Sequence, residues 1–262
     1  MLSVVVCARN EERQIAECLS LLQAADGVDE IVVVDGLSTD RTATVARRMG
    51  VEVVVSPRPS LPHDRQMGVD ATHGRYIAFI DADHRVGVGS LRRLVADLEA
   101  RGVDALQARL TIVPRSFWNR AEDEFLRLTM VPGTHDMIGV APTVFRRSVF
   151  ADVRFAESGS IDDTDLMYRL HRDTPYLTAV SEELIACEHA PRLRDYWRKW
   201  TWYGRGDGQF MALHPQRRRS MLFHLLIRYP ILHPARALRR GYFRAIPYAV
   251  LQGLARALAA LT

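Results

Sequence analysis

The chain has 262 residues, of which 48% are hydrophobic and 25% are charged. This composition is ordinary for a globular protein and argues against disorder, and the length suits one large α/β domain or one such domain with a helical appendage. The three cysteines have no CxxC or other ligand-like spacing, which favours a reducing compartment, here the cytoplasm.

The formal net charge of +4 hides an asymmetry along the chain. Residues 191–262 contain fourteen Arg or Lys residues and two acids, so this segment carries about +12 and the preceding residues carry about −8. Acidic clefts are common where a cation is held, whereas a basic and apolar segment suits anionic lipid surfaces or nucleic acid. The two parts are therefore expected to face different partners.

The first 80 residues alternate between apolar strands and helices. The run at 2–8 lacks the basic flank and the length of a signal peptide and is predicted to be a strand. Further strands are predicted at 30–34, 51–55 and 76–80, and helices at about 10–25, 40–49 and 64–73. Asn10 and Asp40 are expected to cap the first two helices.

This alternation predicts a parallel sheet, in which ligands bind beyond the carboxyl ends of the strands. Asn10, Asp35 and Asp81 follow such ends. After residue 88 the pattern predicts a helix at about 89–101, a strand near 105–113, helices at 116–130 and 161–170, and a strand at 185–189. Pro132-Gly133 and Ser158-Gly159 are expected to break the regular elements.

Four stretches stand in one order over roughly residues 3–210: SVVVCARNEE, IVVVDGLSTDRT, RQMGVDATHGRYIAFIDADH and IDDTDLMYRL. Together they resemble the family 2 glycosyltransferases. The resemblance implies an α/β GT-A fold, with a Rossmann-like, mostly parallel central sheet flanked by helices and a helical C-terminal extension. It also implies a catalytic domain at 1–210, with a nucleotide-sugar-binding half at 1–103 and an acceptor-binding half at 104–210, and a basic, apolar tail at 211–262.

The turn Asp81-Ala82-Asp83, after a continuous apolar strand, resembles the metal-binding motif of that family. A departing nucleoside diphosphate gains negative charge, which a divalent cation such as Mn²⁺ or Mg²⁺ neutralises, and hard cations prefer oxygen ligands. The resemblance implies Asp83 as the principal ligand and Asp81 as a residue that faces the nucleoside. His189 is the expected third ligand, although most single histidines are not ligands, and the other eight histidines show no ligand spacing.

The resemblance also implies a set of donor contacts. Asp35 corresponds to the acid that reads the base or ribose, but Gly36 stands where a second acid is common, which leaves the base open although uridine is expected. The other implied contacts are Ala8, Asn10, Glu11 and Arg65. From the residues alone, Asp35 could be a turn carboxylate, Asn10 only a helix cap, and Arg65 a solvent-exposed side chain.

An inverting transferase needs a carboxylate base that removes the proton of the acceptor hydroxyl. The run Asp162-Asp163-Thr164-Asp165-Leu166 resembles the family's Glu-Asp-x-Asp-Leu, which implies Asp163 as that base. The alternative is that Asp162 and Asp163 are only first-turn acids of the helix that follows.

Later features are less specific. Tyr196, Trp200 and Tyr203 have helical spacing and are predicted to pack on the domain rather than to form an acceptor platform. The stretch 204–208 is expected to be a loose basic loop after or within this helix that touches the donor phosphates or covers the site. In the tail, clustered arginines and an apolar stripe of Leu251, Leu254, Ala255 and Leu258 indicate either an interfacial segment on the inner face of the membrane or a helical extension that packs on protein. Nucleic acid is not an expected partner, and no transmembrane helix is predicted.

The function expected from these features is the inverting, metal-dependent transfer of a sugar from a nucleoside-diphosphate donor to a saccharide or lipid-linked acceptor of the cell envelope. Two other classes stay open at this point. Nucleotidyl transfer usually requires a Gly-rich phosphate loop, which Cys7-Ala8-Arg9-Asn10 is not. An inactive sugar-nucleotide or membrane-binding module is disfavoured by Asp81, Asp83 and Asp163.

Overall fold

The computed structural model describes residues 1–156, 162–189 and 191–262. These residues form two compact units: residues 1–109, 132–156 and 162–187 belong to the first, and residues 110–131, 188–189 and 191–262 to the second. The predicted break at Ser158-Gly159 and the predicted helix start at Ile161 lie outside the described residues.

The strands are Leu2–Ala8 (β1), Glu30–Asp35 (β2), Glu52–Val55 (β3), Tyr76–Phe79 (β4), His84–Arg85 (β5), Ala105–Ile112 (β6), Gly133–Thr134 (β7), Thr143–Arg146 (β8) and Thr178–Cys187 (β9). The α-helices are Ile15–Gln23 (α1), Thr42–Arg48 (α2), Leu61–Ala71 (α3), Ser90–Arg101 (α4), Phe117–Thr129 (α5), Val149–Asp152 (α6), Asp163–Asp173 (α7), Leu193–Leu213 (α8), Arg218–Phe223 (α9), His233–Arg239 (α10) and Ala245–Leu261 (α11). A 3₁₀ turn at Pro215–Arg217 and a π-helical segment at His224–Leu232 flank α9.

The sheet of the first unit is parallel at one side and antiparallel at the other. Its strand order is β3-β2-β1-β4-β8-β6-β9-β5, with β7 also paired to β9. The first four strands of the chain are parallel, as predicted. The described pairs of β8 with β4 and β6, and of β9 with β5 and β7, are antiparallel, so the sheet is mixed.

Strand β1 lies in the middle of the parallel part and is buried on both faces. Val4 and Val6 pack with α1 and α4 on one face, whereas Val5 packs with α3 and α7 on the other. A strand covered by helices on both sides must be apolar at every position, which explains its continuous apolar sequence. In register, Ala8 lies opposite Asp35 of β2, so the ends of both strands reach the same edge of the sheet.

The predicted capping role of Asn10 is wrong. Helix α1 begins at Ile15, after Gln14, and Asn10 adopts a left-handed backbone conformation with φ of 60°. Its side-chain oxygen instead accepts the N–H of Thr39 at 2.8 Å, which ties the loop after β1 to the loop after β2. Asp40, by contrast, accepts the N–H of Thr42 at the start of α2, at 2.9 Å.

In the second unit, α8 and α11 lie against each other at very short range. A Cβ atom on Gly204 would lie 2.4 Å from the carbonyl oxygen of Arg256, and one on Gly208 would lie 3.0 Å from that of Ala260. The prediction of a loose basic loop at 204–208 is therefore wrong, because these glycines belong to helix α8 and provide the space that α11 occupies.

Aromatic side chains fill the interior of the same unit. Tyr196 and Trp200 of α8 are buried in one cluster with Phe125 of α5 and Tyr248 of α11, which confirms the packing interpretation for these two residues. Residues 211–262 thus share one unit with α5 and α8, while the functional division at residues 103 and 210 stays a prediction. Over the part of the chain that the structure describes, no helix has both the length and the apolar character needed to cross a membrane.

Candidate active site

Asp81 and Asp83 follow β4 at the edge of the sheet where β1 and β2 also end. The N–H of His84 donates to the carbonyl oxygen of Asp81 at 3.0 Å, which closes a tight turn around the two aspartates. Among the described residues, Asp81, Asp83 and His84 form a group whose potential ligand atoms all lie within 4.8 Å of one another. Such a group of oxygen and imidazole ligands can hold a divalent cation.

His84 was missed by the sequence analysis, which found no ligand spacing for it. Its Nε2 atom lies 4.0 Å from Asp81 and 3.9 Å from Asp83, and the side chain is buried. Its Nδ1 atom accepts the N–H of Asp81 at 3.2 Å, so Nε2 is the ring nitrogen that faces the two carboxylates. Both distances from Nε2 are longer than a hydrogen bond. Its place directly after the second aspartate was the available clue.

The pKa of Glu11 shows the effect of several acidic side chains that lie close together. Burial and the neighbouring carboxylates, first Asp83 and then Asp81, raise the pKa of Glu11 to about 7. A shift of this size and origin means that the ionised carboxylates repel one another, and a cation among them would relieve that repulsion.

The pairing of β5 with β9 adds a thiol to this edge. His84 lies opposite Cys187 in the register, and the Cys187 Sγ atom lies 3.2 Å from Oδ2 of Asp83. A thiol donates only a weak hydrogen bond. Cys187 is buried and unoxidised, and nothing in its sequence context indicated that it would contact the acidic turn.

Arg65 connects the acidic turn to the second acidic motif. It is only 6% exposed and forms an ion pair with Asp162, and its guanidinium also lies 3.9 Å from Asp81. The alternative of a solvent-exposed arginine is therefore wrong. Burial alone would lower the pKa of Arg65, but Asp162 and Asp81 raise it above its usual range, so the side chain is a permanent cation between the two motifs.

Asp163 is the first residue of α7, next to the buried Asp162. Its Oδ1 atom accepts the N–H of Thr164 at 2.8 Å, and its charge also acts on Arg65. Asp165, two residues further along the chain, is buried and accepts two hydrogen bonds from Arg169. Of the three acids in this run, Asp162 and Asp165 are buried, and Asp163 is only partly buried.

The remaining predicted donor contacts lie at the ends of β1 and β2. Asp35 is 3% exposed and accepts the N–H of Ser38 at 3.1 Å through Oδ2. The carbonyl oxygen of Ala8 accepts the N–H of Gly36 at 2.9 Å. The turn interpretation and the donor-binding interpretation of Asp35 are both compatible with this geometry.

Comparison with known proteins identifies the family. The family profile described as "Glycosyl transferase family 2" matches residues 3–154. The chain belongs to this family. An uncharacterised glycosyltransferase of Mycobacterium tuberculosis is 39% identical over 116 residues, which is 44% of this chain and 51% of that protein. A β-monoglucosyldiacylglycerol synthase of a Nostoc species is 28% identical over 192 residues, which is 65% of this chain and 41% of the relative. The chain thus spans about half the length of the curated relatives it matches.

Solved structures confirm the fold of this family 2 glycosyltransferase. A mannosyltransferase from Pyrobaculum calidifontis, in complex with GDP-mannose and Mn²⁺, has a TM-score of 0.63 at 21% identity, with 99% of this chain and 74% of that chain covered. Residues 1–349 of TarS from S. aureus, in complex with UDP-GlcNAc, have a TM-score of 0.57 at 18% identity, with 99% and 88% covered. The predicted GT-A architecture with a helical C-terminal region is confirmed.

In this family 2 protein His189 belongs to the second unit, where a buried acid holds it. Its Nε2 atom lies 2.7 Å from Glu122 of α5, which also accepts hydrogen bonds from Tyr196 at 2.7 Å and Tyr248 at 3.1 Å and contacts Lys199 at 3.2 Å. Burial would raise the pKa of Glu122, but Lys199 and His189 lower it to about 2. The sequence analysis missed Glu122, since a lone glutamate in an amphipathic helix resembles a surface residue.

Proposed function

We propose that the protein transfers a glycosyl group from a nucleoside-diphosphate sugar, with uridine as the base, to a hydroxyl group of a saccharide or lipid-linked acceptor. The observation that carries this proposal is the acidic turn of Asp81 and Asp83 at the carboxyl edge of the parallel strands, which Arg65 joins to Asp162. Family membership supports the reaction class. One similar structure, that of TarS, contains UDP-GlcNAc, which is consistent with uridine.

The residues fit a divalent cation, Mn²⁺ or Mg²⁺, with Asp83 as the principal ligand and Asp81 beside it. Bound there, the ion would neutralise the charge that develops on the departing diphosphate. The raised pKa of Glu11 is consistent with the fit, because it results from burial and, after that, from the charges of Asp83 and Asp81. We also propose His189 as the third ligand: its contact with Glu122 is the kind that orients a metal-binding histidine.

The protein's own groups would then carry the transfer. Asp163 accepts the proton of the acceptor hydroxyl as the hydroxyl oxygen bonds to the anomeric carbon. The bond between that carbon and the diphosphate oxygen breaks in the same step, and attack from the opposite side inverts the configuration. Arg65 neutralises Asp162, so that the two adjacent aspartates have different roles.

A panel of nucleotides would test donor binding and the metal together. In Mn²⁺, UDP or its sugar is expected to raise the melting temperature most, because a ligand that binds only the native state stabilises it by about 2.7 kcal/mol at a hundred times its Kd. Asp83→Asn should remove the Mn²⁺-dependent part of this shift.

Asp26→Asn, at an exposed aspartate after α1, provides the matched control and should behave as the parent. The proposal would be contradicted if no nucleotide stabilises the parent protein with either Mn²⁺ or Mg²⁺, or if Asp83→Asn shows the full Mn²⁺-dependent rise in melting temperature.

We further propose that the second unit contacts an anionic membrane surface. Leu238 and Phe243 are 59% and 64% exposed, and Arg239 and Arg240 between them are exposed as well. On α11, Leu254, Leu258 and Leu261 are each more than half exposed and fall on one helix face. Apolar side chains among arginines, in a segment without any acid after Asp207, suit the headgroup region of an anionic bilayer. The name of the Nostoc relative, which specifies a diacylglycerol lipid, agrees with this partner.

Vesicle sedimentation would test the membrane contact. The protein should bind phosphatidylglycerol vesicles and should bind phosphatidylcholine vesicles, which carry no net negative charge, much more weakly. In 1 M salt its binding to any vesicle should weaken, because salt screens the charge of the arginines. Changing Leu238 and Phe243 together to Glu should lower the partition coefficient at least about tenfold, since each buried apolar side chain contributes roughly 1.5–3 kcal/mol. Leu184→Glu, at an exposed position in β9, is the control. Equal binding of the control and the double variant would contradict the proposal.

A further inference from the structure

Asp64 of α3 lies directly beside Gly36, at the end of β2. A Cβ atom on Gly36 would lie 2.8 Å from Oδ2 of Asp64 and 3.7 Å from the carbonyl oxygen of Ala8. The Asp64 carboxylate therefore occupies the space that a side chain at position 36 would need. This contact places a second acid beside Asp35 from a different element of the fold.

The two carboxylates are buried and incompletely paired. Asp35 is 3% exposed and Asp64 is 5% exposed, and the Oδ1 atom of each has no hydrogen-bond partner among the described residues. Burial raises the pKa of Asp64, a hydrogen bond from Ser56 opposes this shift, and the charge of Asp35 adds to it. A buried carboxylate oxygen without a donor destabilises the folded protein. Two of them side by side, where the strands of the nucleotide-binding edge end, indicate that a ligand supplies the missing donors.

We propose that Asp64 supplies the carboxylate that is absent at Gly36 and, together with Asp35, selects the base of the donor nucleotide. This inference rests on the proposed function. Ionised carboxylates only accept hydrogen bonds, so they match a base whose ring nitrogen carries a proton, as N3 of uracil and N1 of guanine do. The corresponding ring nitrogens of cytosine and adenine carry lone pairs and would face the carboxylates unfavourably. The selected substrate class is therefore a uridine or guanosine diphosphate sugar.

The test compares Mn²⁺-dependent affinities of the full chain for UDP, GDP, CDP and ADP. The parent should prefer UDP or GDP. Asp64→Asn and Asp64→Ala should lower the affinity for the preferred nucleotide about tenfold and leave the affinities for CDP and ADP nearly unchanged. The ratio of the affinity for UDP or GDP to the affinity for CDP or ADP should therefore fall. Without nucleotide, Asp64→Asn should melt at the same or a higher temperature than the parent, because an unpaired buried charge has been removed.

A relocated acid provides the second arm. Gly36→Asp alone should be poorly tolerated, because its side chain meets the Asp64 carboxylate. Gly36→Asp combined with Asp64→Ala returns a carboxylate to the same space and should recover the base preference that Asp64→Ala loses. This recovery distinguishes base selection from a general effect on folding.

Three outcomes would overturn the inference. If the parent binds nucleotide and the Asp64 variants keep its base preference, Asp64 does not select the base. If the Asp64 variants lower the affinities for all four nucleotides equally, Asp64 acts on the ribose or diphosphate that these nucleotides share. If the parent binds none of the four with Mn²⁺, the proposed function fails and this inference fails with it.

Discussion

Changing Asp163 to asparagine is expected to lower the rate of glycosyl transfer by about 10²- to 10⁴-fold, the range that a general base contributes. The amide has nearly the same shape as the carboxylate but cannot take the proton of the acceptor. Donor binding should be unchanged in Mn²⁺, because the proposed metal ligands are at 81, 83 and 189. The measurement is the transfer rate with a saturating donor, together with the thermal shift that the donor produces.

Two other aspartates in the same region separate catalysis from structure. Asp173→Asn, at the exposed end of α7, should retain parental activity. Asp162→Asn removes the buried partner of Arg65 and should lower the melting temperature as well as the activity, because it leaves a buried guanidinium without its close carboxylate. If Asp163→Asn turns over as fast as Asp173→Asn, Asp163 is not the base.

The position of the acidic turn at Asp81 and Asp83 was predictable because the strand before it is strongly constrained. A strand that is covered on both faces must be a continuous apolar run, and the chain after such a run emerges at the sheet edge where ligands bind. Asp81 and Asp83 follow the run at Tyr76–Phe79 and are therefore placed by a local pattern. The same reasoning placed Asp35 at the carboxyl end of β2. The antiparallel strands were less predictable, because their pairing depends on contacts between distant parts of the chain.

Other features depend on contacts that a local pattern does not contain. Asn10 has the side chain of a helix cap, but its partner is Thr39 in another loop. Gly204 and Gly208 resemble loop residues until α11 is placed against them. Asp64 is a first-turn acid of α3 that the sequence analysis did not single out, and only its approach to Gly36 relates it to Asp35. In each case the deciding neighbour lies about 30 or more residues away in sequence.

The buried contact of Asp207 with Arg256 gives the largest expected effect on stability. Asp207 is 3% exposed, and its two oxygens accept hydrogen bonds of 2.8 and 2.7 Å from the Arg256 guanidinium, which links α8 to α11. The guanidinium also donates to the hydroxyl of Tyr229 at 2.9 Å and lies 5.7 Å from the centre of the Tyr203 ring. This enclosed geometry suits arginine and leaves little access to water.

Asp207→Leu should lower the free energy of unfolding by about 3–5 kcal/mol, because it leaves the buried positive charge of Arg256 without its carboxylate. This loss is a large part of the roughly 5–15 kcal/mol that stabilises a typical protein. Arg256→Met added to Asp207→Leu should recover most of it, since replacing both members of a buried pair with apolar residues removes the uncompensated charge. The check is urea unfolding followed by circular dichroism, with Asp173→Asn as the surface control. A double variant as unstable as Asp207→Leu alone would mean that the tyrosine contacts of Arg256, rather than the ion pair, hold α11 against α8.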